Sequence, residues 1–212
     1  MGYATSILAI AAILGATSAC GSGVVQERNV RLFELHHRLA EEGDLKSAAV
    51  LGSLYLQGIG VAPDFDKAVY WYERGGPGGG WEMLGTVFQY REPPDYARAA
   101  AYYRKAADLC WPIALYELGV LESEGRLGQP DDVSAYKWVT LARWAASRLP
   151  GCRQHVSCVQ LALEDRPGRA RSLQQRVTPT QIATAEESGE QWKQAHPWTR
   201  GAAHCTSVEH QG

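Results

Sequence analysis

The sequence predicts an all-α protein built from three copies of one two-helix unit, and two observations predict this fold class. The dipeptide Leu-Gly recurs at spacings of 33 and 34 residues, at positions 51–52, 84–85 and 118–119. Around each dipeptide, Ala, Leu and Tyr recur at three- and four-residue steps, which is the spacing of one face of a helix. Because a pair of short helices cannot bury its apolar face alone, we expect the three units to stack.

The second helix of each unit has its own start signal. Asp64, Asp95 and Asp131 each follow a proline and precede a stretch that contains Ala and Tyr. An aspartate side chain at such a position accepts hydrogen bonds from the free backbone N–H groups of the first helical turn. We therefore expect these residues to cap the second helices, and the glycine of each Leu-Gly to mark a close contact between helices.

The full chain has 7 Trp and 10 Tyr but only 3 Phe. Most of these aromatic residues lie in the repeated part of the chain. Such rings could form a ligand-stacking platform or pack between helices. The run Tyr70-Trp71-Tyr72 recurs as Tyr102-Tyr103, and recurrence at repeat positions favours packing. Trp81 and Trp111 open the second and third units outside this pattern, so they are the aromatic candidates for contact with a partner.

The composition of the 212 residues excludes several classes of protein. There are 21 Lys and Arg against 23 Asp and Glu, a formal net charge of -2, and 45% hydrophobic residues. These values are typical of a globular protein and exclude a disordered charged tail, a collagen-like fibre and a polytopic membrane protein. The pI of about 6.3 indicates no basic surface, so we expect no nucleic-acid partner.

Residues 48–72 read Ala-x-x-Leu-Gly-x-x-Tyr-x-x-Gly-x-Gly-Val and then Asp-x-x-Lys-Ala-x-x-Trp-Tyr. This pattern resembles the Sel-1-like repeat, a relative of the tetratricopeptide repeat, and three copies cover residues 44–146. The resemblance implies a right-handed α-solenoid of helix pairs. It also implies a non-enzymatic scaffold that binds a protein or peptide partner on the concave face lined by the first helices.

On that face, positions that the repeat pattern does not constrain are the candidate contacts with a partner. Three of them occupy one aligned position in the three units, and two lie nearby. With the two tryptophans named above, the predicted partner-binding residues are Ser53, Gln57, Thr86, Val120 and Glu124.

Helical caps are expected at both ends of the repeats. Residues 26–43 form an amphipathic stretch that predicts an amino-terminal capping helix. Farther along, Thr178-Pro179-Thr180-Gln181 is typical of a capping box with proline at the first helical position. We expect a carboxy-terminal helical cap over residues 147–196 and a loose tail over residues 197–212.

The amino terminus predicts export. Residues 7–14 are an unbroken apolar run, too short for a comfortable membrane span, and small residues follow up to Cys20. We expect a signal peptide over residues 1–19 and a flexible tether over residues 20–25, with the folded part in the periplasm or cell envelope of a bacterium. The segment resembles a lipoprotein signal, which implies a lipid anchor at Cys20 as the one membrane contact. Plain cleavage after Ala19 and an uncleaved anchor are the alternatives.

Four cysteines remain besides the one at position 20. Cys152 and Cys158 close a short loop and are the expected disulfide, which would leave Cys110 to pair with Cys205. Histidines near these cysteines raise the alternative of a zinc site, but no Cys-x-x-Cys spacing is present. We therefore expect disulfides or free thiols and no bound metal.

Two motifs resemble parts of enzyme active sites, but each lacks the companion residues that the enzyme would need. The glycine-rich run at 75–80 is not followed by the Lys-Ser/Thr of a phosphate-binding loop, so we expect a flexible link between units. Ser134 and Lys137 match the Ser-x-x-Lys of penicillin-recognising enzymes, but the companion motifs Ser-Asp-Asn and Lys-Thr-Gly do not occur. The main hypothesis is a scaffold without a cofactor. The alternative is a cell-wall-fragment binder or an envelope hydrolase that uses Ser134 and Lys137.

Overall fold

The computed structural model describes residues 24–148 and 169–197. These residues are largely helical, and no strand occurs within them. Helix α1 covers residues 24–41. The helices that follow it are α2 (Leu45–Gln57), α3 (Phe65–Arg74), α4 (Gly80–Tyr90), α5 (Tyr96–Ala107), α6 (Pro112–Ser123), α7 (Asp132–Arg148), α8 (Arg169–Arg176) and α9 (Pro179–Ala195). The predicted all-α fold class is confirmed.

The helices pack in consecutive pairs. The most extensive helix contacts join α2 to α3, α4 to α5 and α6 to α7, and each pair contains one Leu-Gly dipeptide. The chain divides into two compact units, residues 1–78 and residues 79–212. The first unit contains one helix pair and α1, and the second contains two pairs with α8 and α9. The predicted two-helix repeat is therefore confirmed.

The glycine of each Leu-Gly allows the second helix of a pair to approach the backbone of the first. A methyl group built on Gly52 would stand 2.7 Å from the Tyr72 ring, and one built on Gly85 would overlap the Tyr103 ring. Both tyrosines are buried. Tyr72 and Tyr103 therefore fill the space between paired helices, as predicted.

Aspartate side chains begin the second helices, as predicted. Asp64, Asp95 and Asp131 each accept a hydrogen bond from the backbone N–H three residues farther on, with N···O distances of 2.9, 3.0 and 2.9 Å. Asp44 caps α2 in the same way at 2.9 Å. These bonds satisfy donors that a helix leaves open in its first turn. Short stretches of sequence therefore determine where these helices begin.

The first residue of the glycine-rich segment after α3, Gly75, packs closely against the backbone of α2. A methyl group built on Gly75 would stand 2.6 Å from the Ala49 backbone nitrogen of α2, although the φ of Gly75 is an ordinary -74°. Gly76–Gly78 form a single 3₁₀ turn. Close approach of the chain to α2 therefore explains the glycine at position 75, and the predicted flexible link contains an ordered turn.

The second unit is completed by packing of α7 against α8 and α9. One buried cluster joins the three helices through Ala135, Tyr136, Val139, Leu173 and Ala185. The predicted capping box at the start of α9 is present, with both of its hydrogen bonds formed. These contacts bury the apolar face that α7 would otherwise expose at the end of the repeats.

Several predictions fall outside the described residues: the signal peptide, the lipid site at Cys20, the Cys152–Cys158 pair and the tail from residue 198. Cys110 is described, and it is buried and disulfide-bonded. In residues 24–148 and 169–197, no helix is both long and apolar enough to cross a membrane. The same residues contain no cluster of His, Cys, Asp or Glu suited to a metal ion.

Candidate functional site

A pocket of about 600 Å³ lies in the second unit, between the end of α4, the loop that leads to α5, and α6. Its floor and walls combine rings, charges and a few aliphatic groups. The aromatic and charged residues that line it are Tyr90, Tyr96, Tyr116, Glu92, Glu117, Glu124, Arg91 and Arg126. A concave site of this size with several convergent polar groups is typical of a binding site.

The two arginines at the pocket interact with neighbouring side chains of the chain itself. Arg126 Nε lies 3.3 Å from Glu124 Oε2, and the Arg126 guanidinium stands 5.1 Å from the centre of the Tyr96 ring. The Arg91 guanidinium lies 5.8 Å from the centre of the Phe88 ring. Guanidinium groups are attracted to the faces of aromatic rings. Both positive charges are therefore held at the pocket wall by intramolecular contacts.

A buried amide joins the two helices that form the pocket. Gln89 of α4 is 6% exposed, and its Nε2 donates a hydrogen bond to Glu117 Oε2 of α6 at 3.1 Å. Because the amide nitrogen faces a carboxylate, the amide oxygen must point elsewhere. In the described part of the chain, Gln89 Oε1 is buried and accepts no hydrogen bond. An unsatisfied buried acceptor is uncommon and costly, and this one belongs to a residue that lines the pocket.

A second carboxyl group of the same helix pair is almost completely buried. Glu82 of α4 is 7% exposed. Burial, and then the negative charge of Glu117, raise the pKa of Glu82 to about 7. Burial also raises the pKa of Tyr103 well above its usual range, although its hydrogen bond with Thr86 opposes the shift. The contact between α4 and α6 is therefore an electronegative environment that disfavours a further negative charge.

The predicted partner-binding residues are distributed over several environments. The Ser53 hydroxyl shares a hydrogen bond of 3.0 Å with the Tyr72 hydroxyl, and Thr86 shares one of 3.3 Å with Tyr103. Both hydroxyls are therefore engaged within their own helix pair. Gln57 is exposed at the end of α2.

The two predicted tryptophans are half-buried. Trp81 lies in the first turn of α4, with Lys105 Nζ 5.7 Å from the centre of its ring. Trp111 is the residue before α6, and its ring lies 3.5 Å from a methyl group built on Gly79. Neither tryptophan is among the lining residues of the pocket. Their role in partner binding stays a prediction.

The pocket does bring together two of the predicted residues, Val120 of α6 and Glu124 directly after it. Sequence reasoning missed Gln89 and Glu117, which meet across 28 positions of the chain. One signal was present in the sequence. Gln89 occupies the repeat position that Leu56 occupies in the first copy, so a polar residue replaces an apolar one.

Ser134 and Lys137 do not form a nucleophile–base pair in the described structure. The Ser134 backbone N–H donates to Asp131 as part of the helix cap, and no hydrogen bond joins the Ser134 and Lys137 side chains among the described residues. Lys137 Nζ lies 4.1 Å from the centre of the Trp138 ring. Burial lowers the pKa of Lys137, although the charges of Glu122 and Asp131 oppose the shift. Nucleophilic catalysis would require the missing contact.

Comparison with protein families decides the nature of the repeats. The family profile described as the Sel1 repeat matches residues 45–76, 83–109 and 112–143. The chain contains three Sel1 repeats. Each match contains most of one helix pair, so the three Sel1 repeats coincide with the three helix pairs. Sel1 repeat proteins are generally non-enzymatic scaffolds for protein–protein interaction.

Solved structures with Sel1-like folds resemble the chain, and no curated protein sequence matches it. A Sel1 repeat protein from Oxalobacter formigenes has 14% sequence identity and a TM-score of 0.49, over 75% of this chain and 78% of that one. A protective antigen present in uropathogenic Escherichia coli strains, which displays an SLR fold, has 20% identity and a TM-score of 0.46. That match covers 76% of this chain and 40% of the antigen.

Proposed function

We propose that this chain is an exported, non-enzymatic scaffold of the cell envelope, which binds a protein or peptide partner at the pocket between its second and third Sel1 repeats. The observation that carries the proposal is the set of three tyrosines around this pocket. Tyr90 is 70% exposed at its edge, and Tyr96 and Tyr116 are half-buried beside it. Tyrosine provides a large contact area with a polar tip and few rotatable bonds, which favours protein interfaces.

The shape and chemistry of the pocket support an extended segment as the ligand. Val120 and Leu121 of α6 lie in the sequence between Glu117 of the same helix and Glu124 directly after it, and all four residues line the pocket. Grooves that bind extended peptides combine aromatic walls with polar groups that orient the chain in this manner. The helices that provide these groups, α4 and α6, are the first helices of their repeats.

We expect photo-crosslinking at the pocket to trap one partner. The photoreactive residue p-benzoylphenylalanine would be placed at Tyr90 or Glu124, on different walls of the pocket, and at Tyr70 of α3 as a matched exposed control. After irradiation of native cells, the same adduct should form from positions 90 and 124 and not from position 70. Equal adducts from all three positions, or none from the pocket, would contradict the proposal.

The double variant S134A/K137A separates the scaffold from the alternative hydrolase in the same cells. A scaffold keeps its pocket adduct in this variant, because neither residue lines the pocket. A hydrolase or penicillin-binding protein would instead form an acyl adduct with a labelled β-lactam at Ser134 in the natural chain. Detection of that adduct by mass spectrometry would overturn the non-enzymatic assignment.

Export is supported by two separate observations. Residues 1–19 have the organisation of a signal peptide. The disulfide at Cys110 is the kind of bond that persists in oxidising compartments such as the periplasm.

We expect the mature chain to begin at Cys20, which mass spectrometry of the native amino terminus would detect. Lipidation predicts that Cys20→Ala moves the protein from the membrane fraction to the soluble fraction, because a lipid chain no longer anchors it. Plain cleavage after Ala19 predicts the same mature terminus and no change of fraction. A retained Met1 would contradict both forms of processing.

A further inference from the structure

We propose that the pocket between the second and third repeats recognises a basic side chain, lysine or arginine, of its partner segment. This inference rests on the proposed function and specifies the chemistry of the ligand. The groups that carry it are Gln89 and Glu117 in the wall of the pocket and the tyrosines around them. Together they provide acceptors and ring faces for a cation that carries N–H donors.

The acceptors come from two helices. Glu117 provides carboxylate oxygens, one of which already accepts the amide N–H of Gln89 at 3.1 Å. Gln89 provides the buried oxygen Oε1, which accepts no hydrogen bond from the described residues. Ammonium and guanidinium groups are donors without acceptors, whereas a carboxylate ligand could not donate to either group. The acceptor that lacks a donor therefore favours a basic ligand over an acidic one.

The charges around the pocket also favour a basic ligand over an acidic one. Its lining contains three glutamates and two arginines. Glu124 and Tyr96 hold one of these arginines, and the Phe88 ring holds the other. A further carboxyl group, that of Glu82, lies close enough to Glu117 for the two charges to interact. A cation at Glu117 would relieve this repulsion, and an anion would increase it.

The rings supply the rest of the site. Arginine and lysine bury their aliphatic stems against apolar surface and place their charge over ring faces. The second unit already contains this arrangement within the chain, with Arg126 over Tyr96 and with Lys105 Nζ 4.8 Å from the centre of the Tyr102 ring. Tyr90 and Tyr116 also line the pocket. A basic side chain from a partner would therefore find the environment that the chain's own cations use.

Binding of a cation should be linked to the ionisation of Glu82. Burial and the Glu117 charge hold the pKa of Glu82 near 7. Tyr103 of α5, which also interacts with the charge of Glu82, stays a neutral phenol because burial raises its pKa. A cation seated at Glu117 offsets the charge that opposes ionisation of Glu82, so binding releases a proton. Affinity for a basic ligand should therefore rise as the pH increases through 7.

The test uses the full chain and matched acetylated peptide amides of the form Gly-Ser-X-Ser-Gly, with Arg, Lys, Gln or Glu at X. Binding is followed by ¹H–¹⁵N NMR, in which the side-chain amide of Gln89 reports on the pocket. We expect saturable shifts of this signal with the Arg and Lys peptides, and affinity about tenfold weaker for the Gln and Glu peptides. Equal binding of the Glu peptide would overturn the proposal.

Three variants refine the test. Glu117→Gln should weaken binding of the Arg peptide about fivefold, and Glu82→Gln should remove the increase in affinity between about pH 6 and pH 8. Glu187→Gln, on the exposed part of α9, is the matched loss of a carboxylate outside the pocket and should change neither property. If Glu117→Gln does not fold, the preference of the natural chain among the four peptides still tests whether the pocket recognises a basic side chain.

The two proposals can fail separately. Crosslinks at positions 90 and 124 together with no preference for basic peptides would retain the scaffold and reject the basic ligand. Preference for basic peptides without a crosslinked partner in cells would retain the chemistry of the pocket and reject the proposed docking of a protein partner there.

Discussion

Gly85→Ala is expected to destabilise the chain by about 1–3 kcal/mol, the range of an overpacked core. The added methyl group would overlap the Tyr103 ring, which is 0% exposed and shares a hydrogen bond with Thr86. The ring cannot move away without losing that bond and its packing between α4 and α5. Urea denaturation of the full chain, followed by tryptophan fluorescence, measures the change in the free energy of unfolding.

Gly189→Ala provides the matched control in a second helix. A methyl group built on Gly189 of α9 would meet only Leu141 and Lys137, at 3.9 Å, which is ordinary van der Waals contact. Alanine is favoured over glycine in a helix by about 1 kcal/mol, so this variant should gain stability. Equal destabilisation by both substitutions would show that close approach of Tyr103 is not the reason for glycine at position 85.

Glu82→Gln is expected to remove a pH dependence of stability. The pKa of Glu82 is about 7 in the folded chain against an ordinary value of 4.5, so the folded state binds the proton more tightly between these values. Stability from this group is therefore complete below about pH 4.5, falls as the pH rises, and is lost above about pH 7. A shift of this size corresponds to roughly 3 kcal/mol. The advantage of the variant over the natural chain should grow by about this amount between pH 4.5 and pH 8.

The measurement is a series of urea denaturations of both chains across this pH range. Because glutamine cannot ionise, the difference between the two curves isolates the contribution of Glu82. The Glu187→Gln variant controls for the loss of one negative charge at an exposed position. A constant difference between the natural chain and Glu82→Gln at every pH would show that burial does not raise the pKa of Glu82.

The repeats could be predicted from the sequence because their signals are local. The Leu-Gly dipeptides and the capping aspartates act within one or two turns, and the structure confirms the caps at Asp64, Asp95 and Asp131. Side-chain environments were harder to predict. Ser53 and Thr86 were expected on a binding face, and their hydroxyls are engaged by Tyr72 and Tyr103. The alignment identifies equivalent positions, but it does not specify which neighbour an equivalent side chain contacts.

The sequence by itself determined the helix pairs, the starts of their second helices and the main positions where large rings fill the space between them. These properties depend on helical periodicity and on hydrogen bonds within a few residues. Only the tertiary structure decided that Gln89 meets Glu117 and that Glu82 is buried close enough to Glu117 for their charges to interact. The reason is physical: desolvation and charge repulsion depend on distances between side chains from different helices, and packing sets those distances.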